Sequence, residues 1–325
     1  MRVIGLLLCC LLPLSAQSGP RTESTITTEV DVMYKKGLDF LISTQASDGK
    51  WQDHMTNNPA VGGFALLALL AKGDNLHTPR VANFIQKLLN NILSYQDQQT
   101  GYFGNNMYNH GFVTLVLAEA YGTLSDPRLG LSLQKAVDLI LDAQKNNPNK
   151  AWRYTPKSTD ADSTVTGCQI VSLIAARNAG IAVPDQVIEQ GLAYIESCRC
   201  DDASYGYTDN THGRPTLTAI AVLCHAIAQR EETPEIRESV KYLTKRLNYR
   251  DQHYPFYYEY YMSQALFHAN PKGWEEWNKR NIKYLKLIQA PNGSWDGNHG
   301  EVYCTSAALL SLALNYRLLP IYEKF

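Results

Sequence analysis

Two carboxylates one residue apart, Asp160 and Asp162, come nearest in this chain to residues that could do chemistry. A carboxylic acid held protonated and strongly polarised can protonate even a poor base, such as a carbon–carbon double bond or an epoxide. The same stretch has a second reading. Asp162 followed by Ser163 and Thr164, ahead of the apolar run that starts at Val165, is good helix N-capping chemistry, worth about 1 kcal/mol. Aromatic side chains are the other notable group: Tyr254, Phe256, Tyr257, Tyr258, Tyr260 and Tyr261 form one run, with Trp152, Tyr154 and Tyr303 elsewhere. Their ring faces could stabilise a carbocation, stack on a sugar or hold an apolar chain. They could equally be core filling, with each hydroxyl at a wet edge.

Histidine and cysteine add less. His54, His110, His212 and His299 fall in loops or at expected helix starts, which would gather them at one end of a ring, and His299 lies near Glu301 and Cys304. An acid–base group or a metal ligand is conceivable there. No CxxC pair occurs, and only His225 adjoins a cysteine, so neither a metal nor a cofactor is expected. Cys168, Cys198, Cys200, Cys224 and Cys304 form no recognisable disulfide framework, and Cys168 reads as a buried apolar thiol.

The elements that must position these residues are helices. A Gln-containing turn with Gly and an aromatic recurs along the chain, clearest at Gln45-Ala-Ser-Asp-Gly-Lys-Trp51 and Gln289-Ala-Pro-Asn-Gly-Ser-Trp295, looser at Gln96, and degenerate at Gln144 and Arg199. About six units of this kind, each with room for two helices, predict an all-α chain. The first helix of each unit is amphipathic: Tyr34, Leu38, Leu41 and Ile42 share a face, as do Ile282, Leu285 and Ile288. The second, aligned at Val61, His110, Val165, Thr216, Glu259 and Tyr303, is apolar almost all round. That difference predicts an inner ring of apolar helices inside an outer ring of amphipathic ones, a six-pair α/α toroid. The Gln amides should tie each turn to its neighbour, with Trp51 and Trp295 packed beneath.

Composition sets limits. With 30 Lys plus Arg against 31 Asp plus Glu, no excess charge points to nucleic acid or an anionic membrane surface. Arg2 ahead of the apolar run Val3 to Leu14, with Ala16 and Ser18 beyond it, predicts an export signal over residues 1–18. The expected organisation is then a linker over 19–30 and a single toroid domain over 31–325, in a periplasmic or extracellular protein. No segment of the mature chain is expected to cross a membrane.

The Gln…Gly-Xaa-Trp turns and the double-ring pattern resemble the terpenoid cyclase and protein prenyltransferase toroid superfamily, which includes the squalene–hopene cyclases. More narrowly, Trp152-Arg-Tyr-Thr-Pro156, Asp160-Ala-Asp-Ser-Thr-Val-Thr-Gly167, Phe256-Tyr-Tyr-Glu-Tyr-Tyr261 and Gly273-Trp-Glu-Glu-Trp277 look like bacterial exported proteins with prenyltransferase and squalene-oxidase repeats. The resemblance implies a DxDD acid motif whose third position is Asp162; the fourth position here is Ser163. It also implies three zinc positions, occupied here by Tyr257, Glu259 and Cys304, which do not make the family's Asp, Cys and His set. Three functions follow as expectations. The first is binding of an isoprenoid, lipid or glycan ligand, or of a protein partner, by a cavity with Trp152, Tyr154, Tyr257, Tyr258, Glu259, Tyr261, His299, Tyr303 and Cys304 as candidate contacts. The second is acid-initiated cyclisation by Asp162, with Asp160 beside it and the substrate held by Tyr257, Tyr258 and Tyr261. The third, polysaccharide lyase action, is only hinted at by Arg153, Arg214, Asp160 and Asp162.

Overall fold

A computed structural model describes residues 27–52 and 58–323. The expected export signal and His54 lie outside the described residues. The described residues form twelve α-helices: α1 (Thr28–Thr44), α2 (Pro59–Lys72), α3 (Pro79–Ser94), α4 (Met107–Tyr121), α5 (Arg128–Asn146), α6 (Ser163–Asn178), α7 (Asp185–Ser197), α8 (Pro215–Ile227), α9 (Pro234–Thr244), α10 (Pro255–Ala269), α11 (Pro271–Ile288) and α12 (Glu301–Ala313). The helix ends follow from local chemistry. Thr27, Asn58 and Thr233 cap α1, α2 and α9 with side-chain oxygens, and Pro opens α2 and α9, where a missing N–H costs nothing. Gly73 ends α2 in the left-handed conformation. Because Thr27 caps α1, residues 28–30 of the expected linker are helical.

Even-numbered helices form the inner ring, each packed on the next: α2 on α4, α4 on α6, α6 on α8, α8 on α10, α10 on α12, and α12 back on α2. The odd-numbered helices lie outside, each against the inner helix that precedes it in the chain. The first, α1, packs on the last, α12, and that contact closes the ring. Burial tracks position, since every residue of α2 from Pro59 to Ala71 is buried while α1 buries one face. The outer helix α11 departs from the expected face. Trp274, Trp277, Asn278, Asn281 and Leu285 are its buried residues, while Ile282 is half-buried and Ile288 exposed, because two tryptophans claim the inward side.

The recurring turns are clips between neighbouring units. The Gln96 amide donates to its own turn at the Gly101 carbonyl (3.1 Å) and to the Ser132 carbonyl of α5 (2.9 Å). Gln144 reaches the Val187 carbonyl of α7 (2.7 Å), and Gln45 makes longer bonds to Gly49 and to Phe84 of α3. Gln289 does the same across the seam, donating to Gly293 (2.9 Å) and to Met33 of α1 (3.0 Å). Beneath these turns the indoles of Trp51, Trp152 and Trp295 donate to carbonyls of Leu41, Ile140 and Leu285 on the preceding outer helix.

The ring is stoppered at one end. After α12 the chain makes a short 3-10 turn at Pro320–Tyr322, whose Ile321 and Tyr322 are buried. Ile321 sits among the C-terminal ends of α6, α8 and α10, near Ile174, Ala226 and His268. Its amide approaches the buried Glu119 carboxyl of α4 (3.4 Å).

Candidate functional site

With the C-terminal ends of the inner helices closed by the tail, the remaining cavity opens at their N-terminal ends. It has a volume of about 520 Å³. All six inner helices contribute: Val61 and Phe64 from α2, Tyr108 and Phe112 from α4, Thr164 from α6, Thr216 and Leu217 from α8, Phe256 and Tyr257 from α10, Tyr303 and Cys304 from α12. Phe64 forms the floor, edge-to-face with Phe112 (4.8 Å between centroids) and tilted against Tyr260 (5.1 Å) and Tyr303 (5.5 Å). Polar groups collect at the rim, where Arg214, Asp251, Asn298 and His299 stand beside Tyr154 and Tyr207.

The structure divides the residues singled out in the sequence. Tyr154, Tyr257, His299, Tyr303 and Cys304 face this cavity. Trp152, Tyr258, Glu259 and Tyr261 are in the wall. Trp152 is the turn aromatic of its unit, buried with its indole N–H spent on Ile140. Tyr258 is buried against Tyr249 (5.2 Å, edge-on), and Tyr261 packs behind Tyr257 (4.8 Å). One helical turn cannot aim adjacent residues the same way, so the run 256–261 shares itself between cavity and wall. Glu259 points outward to the Arg250 guanidinium (3.1 Å), away from the cavity, and burial pushes its carboxyl up to about 8 against the pull of that arginine. No group of three or more potential metal ligands occurs among the described residues. Of the histidines, His110 is buried in the wall, His212 is exposed, and His299 lies at the rim, between Tyr254 (5.3 Å) and Tyr303 (5.7 Å).

A family model described as the prenyltransferase alpha-alpha toroid domain matches residues 35–254, more than half of the chain. The chain belongs to this family. Comparison with curated protein sequences finds no significant match. Among solved structures, the toroid is similar to the type II terpene cyclase MstE from Scytonema in complex with geranylgeranyl dihydroxybenzoate. That likeness has TM-score 0.63 and 14% identity, covering 90% of this chain and 98% of that one. It is also similar to a family 76 glycoside hydrolase from a bovine Bacteroides thetaiotaomicron strain, with TM-score 0.69, 10% identity and coverage of 90% and 78%. A third likeness is to an inactive variant of the alpha-1,6-mannanase of Salegentibacter sp. in complex with alpha-1,6-mannotriose, with TM-score 0.67, 7% identity and coverage of 89% and 99%. At these identities the likeness is one of fold.

Within the toroid, Asp160 is exposed and pairs with Arg153 (3.3 Å), whose guanidinium also faces Asp162 (3.4 Å) and stacks on Tyr154 and Tyr207. Asp162 is completely buried as the N-cap of α6, and its carboxyl does not line the cavity. Its Oδ1 accepts from the amides of Thr164 (2.9 Å) and Val165 (2.8 Å) and from the Thr164 hydroxyl (2.6 Å). Burial pushes this carboxyl above the usual range, opposed by those donors and by Arg153. Asp251, at the rim, behaves oppositely. Partial burial opposes its charge, but the Thr216 hydroxyl (2.6 Å) and the amides of Tyr254 and His253 (3.0 Å each) outweigh it and hold its carboxyl below the usual range.

Tyr108, Tyr207 and Asp251 are site residues that sequence reasoning missed. Each sits at or just before the start of an inner helix or in the loop beside it. The usable signal was positional: once the inner helices are aligned, the residues at their starts are the ones that meet at the mouth.

Proposed function

We propose that this toroid binds the hydrocarbon part of an isoprenoid or lipid-like molecule in its single-mouthed cavity, with the polar end of that molecule toward the rim. The observation that carries this reading is the segregation of the lining, with Phe64, Phe112, Leu217, Phe256 and Tyr303 below and charged and amide groups above. A volume of about 520 Å³ falls within the roughly 300–1,000 Å³ of small-molecule sites. Burial of an apolar chain there would contribute roughly 25 cal/mol per Å² removed from water, before the cost of association. The complex of MstE with an isoprenoid-bearing substrate lends the reading support by analogy of fold. Native mass spectrometry of the purified chain, followed by titration with geranylgeraniol and squalene, tests it; absence of any retained or titratable lipid would sink it. Alpha-1,6-mannotriose belongs in the same series, and binding of that sugar alone would move the assignment to glycans.

A second reading, acid-initiated cyclisation, is supported by the burial that raises the Asp162 carboxyl. Its orientation into the α6 cap stands against direct contact with a substrate. Incubating Asp162→Asn and the parent with linear polyprenoids decides it, since equal product from both eliminates the acid role. Arg153 is committed to Asp160 and Asp162, which leaves lyase chemistry without a free basic cluster there.

Export by residues 1–18 is part of the same proposal, supported by the sequence of that segment. No helix among the described residues is long and apolar enough to cross a membrane. N-terminal sequencing of the protein from a cell envelope should find a start near Gly19.

A further inference from the structure

The fold leaves one cation unused at the mouth of the cavity. Each of the other described arginines pairs with a carboxylate, as Arg153 and Arg250 do, or lies over a ring, as Arg246 and Arg317 do. Arg214 does neither. Among the described residues its guanidinium has no ion pair, hydrogen bond or ring contact, although it is exposed and lines the cavity from the position just before α8 starts at Pro215. Of the residues that line this cavity, Arg214 is the one Lys or Arg and Asp251 the one Asp or Glu. Asp251 makes no ion pair with it. Both Asp251 oxygens are already engaged, Oδ1 by the amides of His253 and Tyr254 and Oδ2 by the Thr216 hydroxyl, and these donors keep its charge in place.

We infer that Arg214 receives the polar end of the ligand, and that this end is a single carboxylate carried on the apolar chain. A guanidinium presents its N–H groups as a planar fork that matches the two oxygens of a carboxylate, and one guanidinium neutralises one negative charge. A diphosphate brings more charge than Arg214 can neutralise, with the fixed carboxylate of Asp251 on the same rim to oppose the excess. An ester or an alcohol offers the fork no charge at all. With the chain over Phe64 and Phe112 and the carboxylate at the rim, the ionised group stays within reach of water, so binding demands no burial of charge.

This inference rests on the apolar-ligand reading above, and the experiment separates the two. The full chain is titrated calorimetrically with geranylgeranoic acid, its methyl ester and geranylgeranyl diphosphate, at low salt and about pH 7, where a carboxylic acid is ionised. The acid should bind about five-fold tighter than the ester, the contribution of a water-accessible ion pair of good geometry, with the diphosphate weaker than the acid. Added salt should shrink the acid's margin over the ester. Arg214→Gln should bring the acid down to near the ester while leaving the ester's own affinity unchanged, and Arg214→Lys should restore part of the difference. Equal binding of acid and ester, an equal loss of both in Arg214→Gln, or tightest binding of the diphosphate would overturn the carboxylate assignment alone. Failure of all three to bind would overturn the apolar-ligand reading and this inference with it.

Discussion

At position 162 one carboxylate serves the backbone before it can serve a ligand. Asp162→Ala removes the acceptor for two amides and one hydroxyl at the start of α6 and should cost about 1–2 kcal/mol, read as a lower urea midpoint. Asp162→Asn retains an acceptor oxygen and should cost much less; similar losses in both would mean that charge, through Arg153, matters more than the cap. His110 is a second residue whose role is structural. Its Nδ1 accepts from the Phe103 amide (3.2 Å) and its Nε2 lies 2.9 Å from the Ala136 carbonyl, so Nε2 carries the proton. Burial holds this imidazole neutral, pushing it down to about 4. Thr166, Thr218 and Thr305 make the corresponding bond to Trp152, Tyr205 and Trp295 in other units. Nothing in the residue type announces this, because a histidine near a helix start reads the same whether it caps a neighbour or faces solvent.

Between helices, the Gln–Gly–aromatic turn is the unit of cohesion, and its glycine is dictated by the neighbour. Gly293 has φ +96°, and a Cβ there would lie 2.4 Å from the Lys36 carbonyl of α1; Gly49 stands in the same relation to Lys87 of α3. Gly293→Ala should therefore destabilise by more than about 1 kcal/mol, because the strain of a left-handed alanine and the displacement of α1 at the seam outweigh the small gain from a less flexible unfolded chain. Trp295→Ala, at a fully buried site, should cost about 3–5 kcal/mol. Both are read by denaturant unfolding, and a Gly293→Ala melt equal to the parent would show that α1 is not held by this turn. These turns were legible in the sequence because their parts are adjacent in the chain. Their partner carbonyls were not, since each lies on the next outer helix.

For the whole ring, the C-terminal tail decides that the cavity is a blind pocket, and Glu119 marks where the tail lands. Burial pushes its carboxyl up to about 8 from an ordinary 4.5, opposed by the Ile321 amide. The sign follows from linkage: protonated Glu119 favours the folded state, so its contribution is full below about pH 4.5 and is lost as pH rises through about 8, with Glu259 acting in the same sense. Urea unfolding should grow easier across that window, and Glu119→Gln should flatten the trend; an unchanged slope would place the titration elsewhere. The sequence by itself determined the all-α class, the two kinds of helix and the turns, because hydrophobic periodicity and turn chemistry act over a few residues. The contacts that close the predicted ring, the plug at one end and the division of Tyr257, Tyr258, Glu259 and Tyr261 between cavity and wall came only from the tertiary structure. Those depend on how far each helix is rotated about its axis and on contacts between residues as distant as Gln289 and Met33, which no local pattern encodes.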